Sequence, residues 1–130
     1  MAIHMKVLDT SFIISLFLIE DENHPKAVAI FNNHHNEELL LLDTILFETL
    51  SLLNRRKGMD EAREVHGKLL ACSKLHMHYL SDAQRKEVVK AFLEQKGRLS
   101  PADISVILAC KTALAAPLAF DKEIVKRVQV

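Results

Sequence analysis

Four carboxylates stand where they could act together: Asp9, Glu48, Asp103 and Asp121. Asp9 directly follows the apolar stretch 5–8, and Asp121 directly follows the stretch 117–120. If both stretches are strands of one parallel sheet, both acids open onto the edge where such sheets bind ligands. Asp103 falls in the first turn of a helix, three residues after the cap residue Ser100. Glu48 falls about a turn and a half into another helix, between Phe47 and Thr49, with Leu52 one turn further along its face. Each acid alone has an ordinary structural use. Asp9 can cap a helix, and Asp103 can suit a helix dipole. Glu48 can lie on a solvated face beside Ser51 and Arg55, and Asp121 can start a turn. Jointly they raise a different issue. Carboxylates gathered without compensation repel one another, gain raised pKa values and tend to protonate. A divalent cation removes that cost, and an all-oxygen donor set without Cys or His suits Mg2+ or Mn2+ better than zinc.

Positioning those acids requires short strands alternating with helices. Residues 5–8 read as a strand and residues 11–19 as a helix. After the polar break 20–23, Pro25 fits the first turn of a helix reaching Asn33. The unbroken apolar run 39–42 suits a strand covered on both faces. Asp43 can cap the next helix, which runs to Lys57 and is ended by Gly58. A helix over 60–71 and a strand over 76–80 come next, then a helix capped by Ser81, running to Lys96 and closed by Gly97. A helix from Ser100 and Pro101 to Ala115, a strand over 117–120 and a terminal helix over 122–127 complete the order. This alternation predicts an α/β fold, a central, mostly parallel sheet in an α/β/α three-layer arrangement with right-handed crossovers.

The 130 residues fit one domain over 1–130 and suffice for a real core. Residues 1–4 read as an added leader, with Met5 as the natural start. The net charge is zero, so attraction to a polyanion has to come from local clusters. Cys72 and Cys110 are far apart and belong to no paired motif; they read as reduced interior residues of a protein in a reducing compartment. The apolar run 12–19 falls short of the roughly 20 residues that span a bilayer. Glu20, Asp21 and Glu22 follow it in place of a cleavage site, so the expectation is a buried helix in a cytoplasmic protein with no membrane contact.

From Met5 to Arg127 the chain resembles the PIN-domain family and, within it, the VapC-like toxins. Val7-Leu8-Asp9-Thr10-Ser11 resembles the family's opening strand and first acid. The segment 43–53 resembles the second strand-to-helix region, with its acid at Glu48. Leu99-Ser100-Pro101-Ala102-Asp103 resembles the third acidic segment, and residues 117–123 the closing one with Asp121. In this last segment Ala119 stands where family members often carry Thr or Ser, and Glu123 offers another carboxylate. The resemblance implies a PIN-like domain with metal-dependent endoribonuclease activity. Asp9, Glu48, Asp103 and Asp121 would be both catalytic residues and ligands of Mg2+ or Mn2+, yielding 5′-phosphate and 3′-hydroxyl RNA ends. It also implies a toxin–antitoxin pair, in which a cognate antitoxin blocks the acidic pocket, often with a basic side chain.

Thr10 and Ser11 can bond phosphate or an acid, and equally can start a helix. Arg55 and Arg56, with Lys57, can hold RNA backbone or complement a helix C-terminus. Lys122, Lys126 and Arg127 carry the same ambiguity. His76 and His78 would share one side of a strand, and His34 and His35 are adjacent, but further zinc ligands at suitable spacing are missing. The first helix carries more apolar faces than one sheet covers, which predicts core burial together with a homodimer or partner contact. Three other readings compete: a receiver-like signalling domain, a PIN-fold binding module with weak catalysis, and a PIN nuclease of RNA processing. The first acid follows the opening strand with no preceding acidic pair, which fits a receiver poorly.

Overall fold

The computed structural model describes residues 5–33, 37–113, 115–120 and 122–129. Asp121, His34, His35 and the leader 1–4 lie outside the described residues. The elements run in the order β1 (Met5–Leu8), α1 (Thr10–Phe17), α2 (His24–Asn33), β2 (Glu38–Leu42), α3 (Asp43–Lys57), α4 (Met59–Ala71), β3 (Leu75–His78), α5 (Asp82–Glu94), α6 (Pro101–Ala113), β4 (Ala116–Leu118) and α7 (Lys122–Gln129). The four strands form one sheet in the order β3-β2-β1-β4, and every pairing is parallel. The expected α/β architecture is therefore present.

The strand order locates the crevice. The chain steps outward from β1 through β2 to β3, then crosses back to place β4 on the other side of β1. With right-handed crossovers, that reversal sends α1 to α4 to one face and α5 with α6 to the other. The boundary between β1 and β4 is thus a topological switch point, where open α/β sheets bind ligands beyond the carboxyl ends of their strands. Val7, Leu8, Leu39, Leu41 and Leu42 are all buried, as parallel strands covered on both faces must be.

Local chemistry accounts for most boundaries and for several differences from expectation. Helix α1 ends at Phe17, not at residue 19. Leu18 turns extended and stays in the core, leaving Ile19 81% exposed. Its apolar surface is mostly core: Phe12, Ile13 and Ile14 are buried, and Leu16 and Phe17 are half-buried against them. Gly58 ends α3 at φ 94°, a backbone shape that L side chains rarely adopt. Ser81 caps α5 through a reciprocal capping box with Gln84. That helix ends at Glu94 because Gln95 becomes extended and bonds Leu99 through its side chain, so Gly97 belongs to the connection. Strand β3 starts one residue earlier than expected and stops at His78, where its pairing with β2 ends. Strand β4 is also shorter than expected.

Asp43 is a correction. Leu42 occupies the cap position of α3 without a side-chain bond, and Asp43 is the first helical residue. Among the described residues both cysteines are free, and burial pushes the Cys110 thiol up to about 12, as befits a core residue. No helix among the described residues is long and apolar enough to cross a membrane.

Candidate active site

Asp9, Glu48 and Asp103 line one cleft of about 520 Å³ beside the carboxyl end of β1. Three elements deliver them: the β1–α1 junction, the second turn of α3 and the first turn of α6. Asp9 is only 3% exposed. Its Oδ2 accepts hydrogen bonds from the Ser11 backbone N–H (3.2 Å) and the Ser11 hydroxyl (2.8 Å). Its Oδ1 is buried and has no hydrogen-bond partner among the described residues. Asp103 and Ser100 bond reciprocally, the Ser100 N–H to Asp103 Oδ2 at 3.0 Å and the Asp103 N–H to Ser100 Oγ at 3.1 Å. The helix-starting use of each acid is therefore real and coexists with its place on the cleft wall.

The electrostatics tie the three acids together. Burial raises the Asp9 carboxyl above its ordinary value, the Ser11 hydrogen bonds oppose this, and the negative charge of Asp103 adds to the rise. Burial also raises Glu48, with Asp103 next and Asp9 contributing further, against a hydrogen bond from Thr10. The Thr49 hydroxyl, fully buried, donates to the Thr10 hydroxyl at 3.3 Å. Among the described residues no group of three His, Cys, Asp or Glu side chains stands in ready coordination geometry. The acids face a shared space and repel across it. A buried carboxylate oxygen with no donor among the described residues, on an acid of raised pKa in a cleft shared with Glu48, is an arrangement that a hard cation relieves.

The basic cluster divides. Arg55 and Arg56 line the cleft and are exposed, and among the described residues neither forms an ion pair. Lys57 instead pairs with Glu20. Arg127 pairs with Glu123 along α7, so both have a partner away from the acidic trio. Glu38 holds His76 at 2.7 Å and Gln84 holds His78 at 3.0 Å, giving the two histidines different neighbours.

Sequence reasoning missed Asp21 and Asn23, which also line the cleft. The Ser15 hydroxyl (2.7 Å) and the Asn23 N–H (2.9 Å) both bond Asp21 Oδ2, which folds the α1–α2 turn against the opening. The polar break after α1 was the available signal, but nothing in its sequence aims it at Asp9.

The model of the PIN domain matches residues 6–129. The chain belongs to the PIN domain family. Among solved structures, this PIN domain is similar to VapC20 of Mycobacterium tuberculosis, a toxin that cleaves the sarcin–ricin loop. The TM-score is 0.83 at 20% identity, covering 92% of each chain. It is also similar to VapBC2 of Rickettsia felis bound to a DNA fragment from its promoter, with TM-score 0.66, 12% identity, and coverage of 95% of this chain and 92% of that one. PAE2754 of Pyrobaculum aerophilum matches at TM-score 0.62 and 20% identity, covering 99% of this chain and 89% of that one. At such identities these likenesses concern the fold. No curated protein matches the chain significantly.

Proposed function

We propose that this PIN domain is a metal-dependent endoribonuclease, the toxin of a toxin–antitoxin pair, that hydrolyses single-stranded RNA to 5′-phosphate and 3′-hydroxyl ends. The observation that carries the reading is the buried Oδ1 of Asp9, without a partner among the described residues, in a cleft shared with Glu48 and Asp103. Structural similarity to VapC20 and VapBC2 supports it.

Asp9, Glu48 and Asp103 would hold Mg2+ or Mn2+, with Asp121 the fourth candidate from its place in the sequence. A bound divalent cation supplies Lewis acidity to the phosphate and lowers the pKa of the attacking water. The protein does the rest. Arg55 and Arg56, free of ion pairs among the described residues and on the cleft wall, take the RNA phosphates. Thr10, beside Glu48, favours the charged form of that carboxylate. A cognate antitoxin would close the same acidic cleft with a basic side chain. A homodimer, expected from the apolar first helix, is checked by a doubled mass in light scattering and overturned by a monomer at high concentration.

The test is cleavage of a short single-stranded RNA by purified, antitoxin-free protein with Mg2+ or Mn2+, alongside growth on expression of the parent and of Asp103→Asn. Cleavage by the parent and relief of growth arrest in the variant support the reading. Inert protein, with Asp9→Ala having no effect in cells, overturns it.

A further inference from the structure

Ser11 joins two parts of the chain that lie 109 residues apart. Its hydroxyl donates to Asp9 Oδ2 at 2.8 Å and accepts the Phe120 backbone N–H at 3.0 Å. A serine hydroxyl has a single proton, so with that proton on Asp9 it cannot also donate to a substrate phosphate. Helix capping does not explain this arrangement, because the cap bond of α1 runs from the Ser11 N–H to the Asp9 side chain. The hydroxyl is an addition to the cap, and its second contact reaches another segment altogether.

That segment needs an anchor. Residues 117–120 are Pro, Leu, Ala and Phe, with no side chain able to hydrogen-bond. Its first two residues pair with β1, and the rest is held by the Asp9 N–H on the Leu118 carbonyl (3.0 Å), by the Phe120 ring stacked on Phe12 at 6.0 Å, and by Ser11. Among the described residues, Ser11 is the side chain that hydrogen-bonds it. One hydroxyl thus sets the carboxylate of Asp9 and the backbone one residue before Asp121.

We infer that Ser11 is a positioning residue of the acidic cleft, whose hydroxyl occupies Asp9 Oδ2, leaves Oδ1 for the cation, and registers the chain leading to residue 121 against that acid. The inference rests on the metal site proposed above. Two hydrogen bonds from one residue leave Asp9 little rotational freedom, and outer partners of this kind typically change metal affinity by about 10- to 100-fold when removed.

Calorimetric titration of the whole, partner-free protein with Mn2+, combined with amide exchange at Phe120, tests this in the parent, Ser11→Ala and Ser11→Thr. The expected result is Mn2+ affinity weakened about tenfold or more in Ser11→Ala, with faster exchange at Phe120. Ser11→Thr, which keeps the hydroxyl, recovers most of both. Should Ser11→Ala fail to fold, Ser11→Cys carries the same comparison, because the thiol is a poorer donor and acceptor. Unchanged Mn2+ affinity in the variants, even with a lowered melting temperature, overturns the inference and makes Ser11 merely structural. A parent that binds Mn2+ but leaves RNA uncut removes the nuclease reading, while the Ser11 result is still decided by the titration. A parent that binds no Mn2+ overturns both.

Discussion

Asp9 and Asp43 each sit in a Leu-Asp-Thr triplet at the carboxyl end of a strand, and the two strands, β1 and β2, are parallel neighbours. Both side chains are buried, at 3% and 1% exposure. Their surroundings then diverge. Asp43 accepts the N–H groups of Thr44 (3.0 Å) and Leu80 (3.2 Å) and pairs with the Arg85 guanidinium. Among the described residues Asp9 is bonded through one oxygen only, to Ser11, and the negative charge of Asp103 lies near it. Burying a charge is costly unless it is paired and hydrogen-bonded. Asp43 finds that compensation inside the chain and ties α3 to the β3–α5 connection. Asp9 finds no such compensation among the described residues, and its buried charge is left unpaired there. The same triplet thus serves as a structural clasp at one strand end and as a candidate reactive centre at the next.

The sharpest way to break this contrast is to neutralise each acid in turn. Asp9→Asn is expected to lower RNA cleavage on the order of a thousandfold while the protein stays folded. Asp43→Asn is expected to leave the rate per folded molecule nearly unchanged. Equal losses of kcat in the two variants would erase the distinction. The reverse asymmetry should appear in stability. Asp43→Ala removes two backbone bonds and the Arg85 pair and should cost about 2 kcal/mol in denaturant unfolding, the half-exposed Arg85 moderating the loss.

A smaller effect concerns the arginines. Arg85 is committed to Asp43, whereas Arg55 and Arg56 stand in the Asp9 cleft without an ion pair among the described residues. Replacing both with Ala should weaken RNA binding and reduce the salt slope by about 1.4, roughly 0.7 per single-strand phosphate contact. An unchanged slope would take the phosphates elsewhere. The smallest effect is on pH dependence. The carboxyls of Asp9 and Glu48 are raised above 3.8 and 4.5, so the folded protein holds these protons more tightly than the unfolded chain. Metal-free stability should therefore fall as pH rises from those ordinary values through the raised ones. Asp9→Asn should flatten the fall and saturating Mn2+ should reverse it. Thermal melts across that range check both.

The helices and strands were largely legible because each has a local cause. The Leu39–Leu42 run, the Ser81 capping box and the turn at Gly58 all act within a few residues. The ends of α1, α5 and β3 were less legible, since they depend on where strand pairing stops and on which side chain takes up a freed carbonyl or amide. The convergence of Asp9, Glu48 and Asp103 was foreseeable from parallel topology and strand ends. Asp21 in the same cleft was not, because its position depends on how the α1–α2 turn folds back through Ser15.

Apolar periodicity, caps and breakers, which act over a turn or a strand, were enough to set the order of elements and put an acid at the end of β1. They were also enough to point to a parallel sheet, because a continuous apolar run can be satisfied only with both faces covered. The Leu-Asp-Thr triplet alone could not separate Asp9 from Asp43, since both acids have the same immediate neighbours in the chain. That difference came from Arg85, 42 residues after Asp43, and from Asp103 and Phe120, drawn in by the crossover that places β4 beside β1. Charge compensation acts through space over a few ångströms, so only the folded chain could decide which buried acid was paired and which was not.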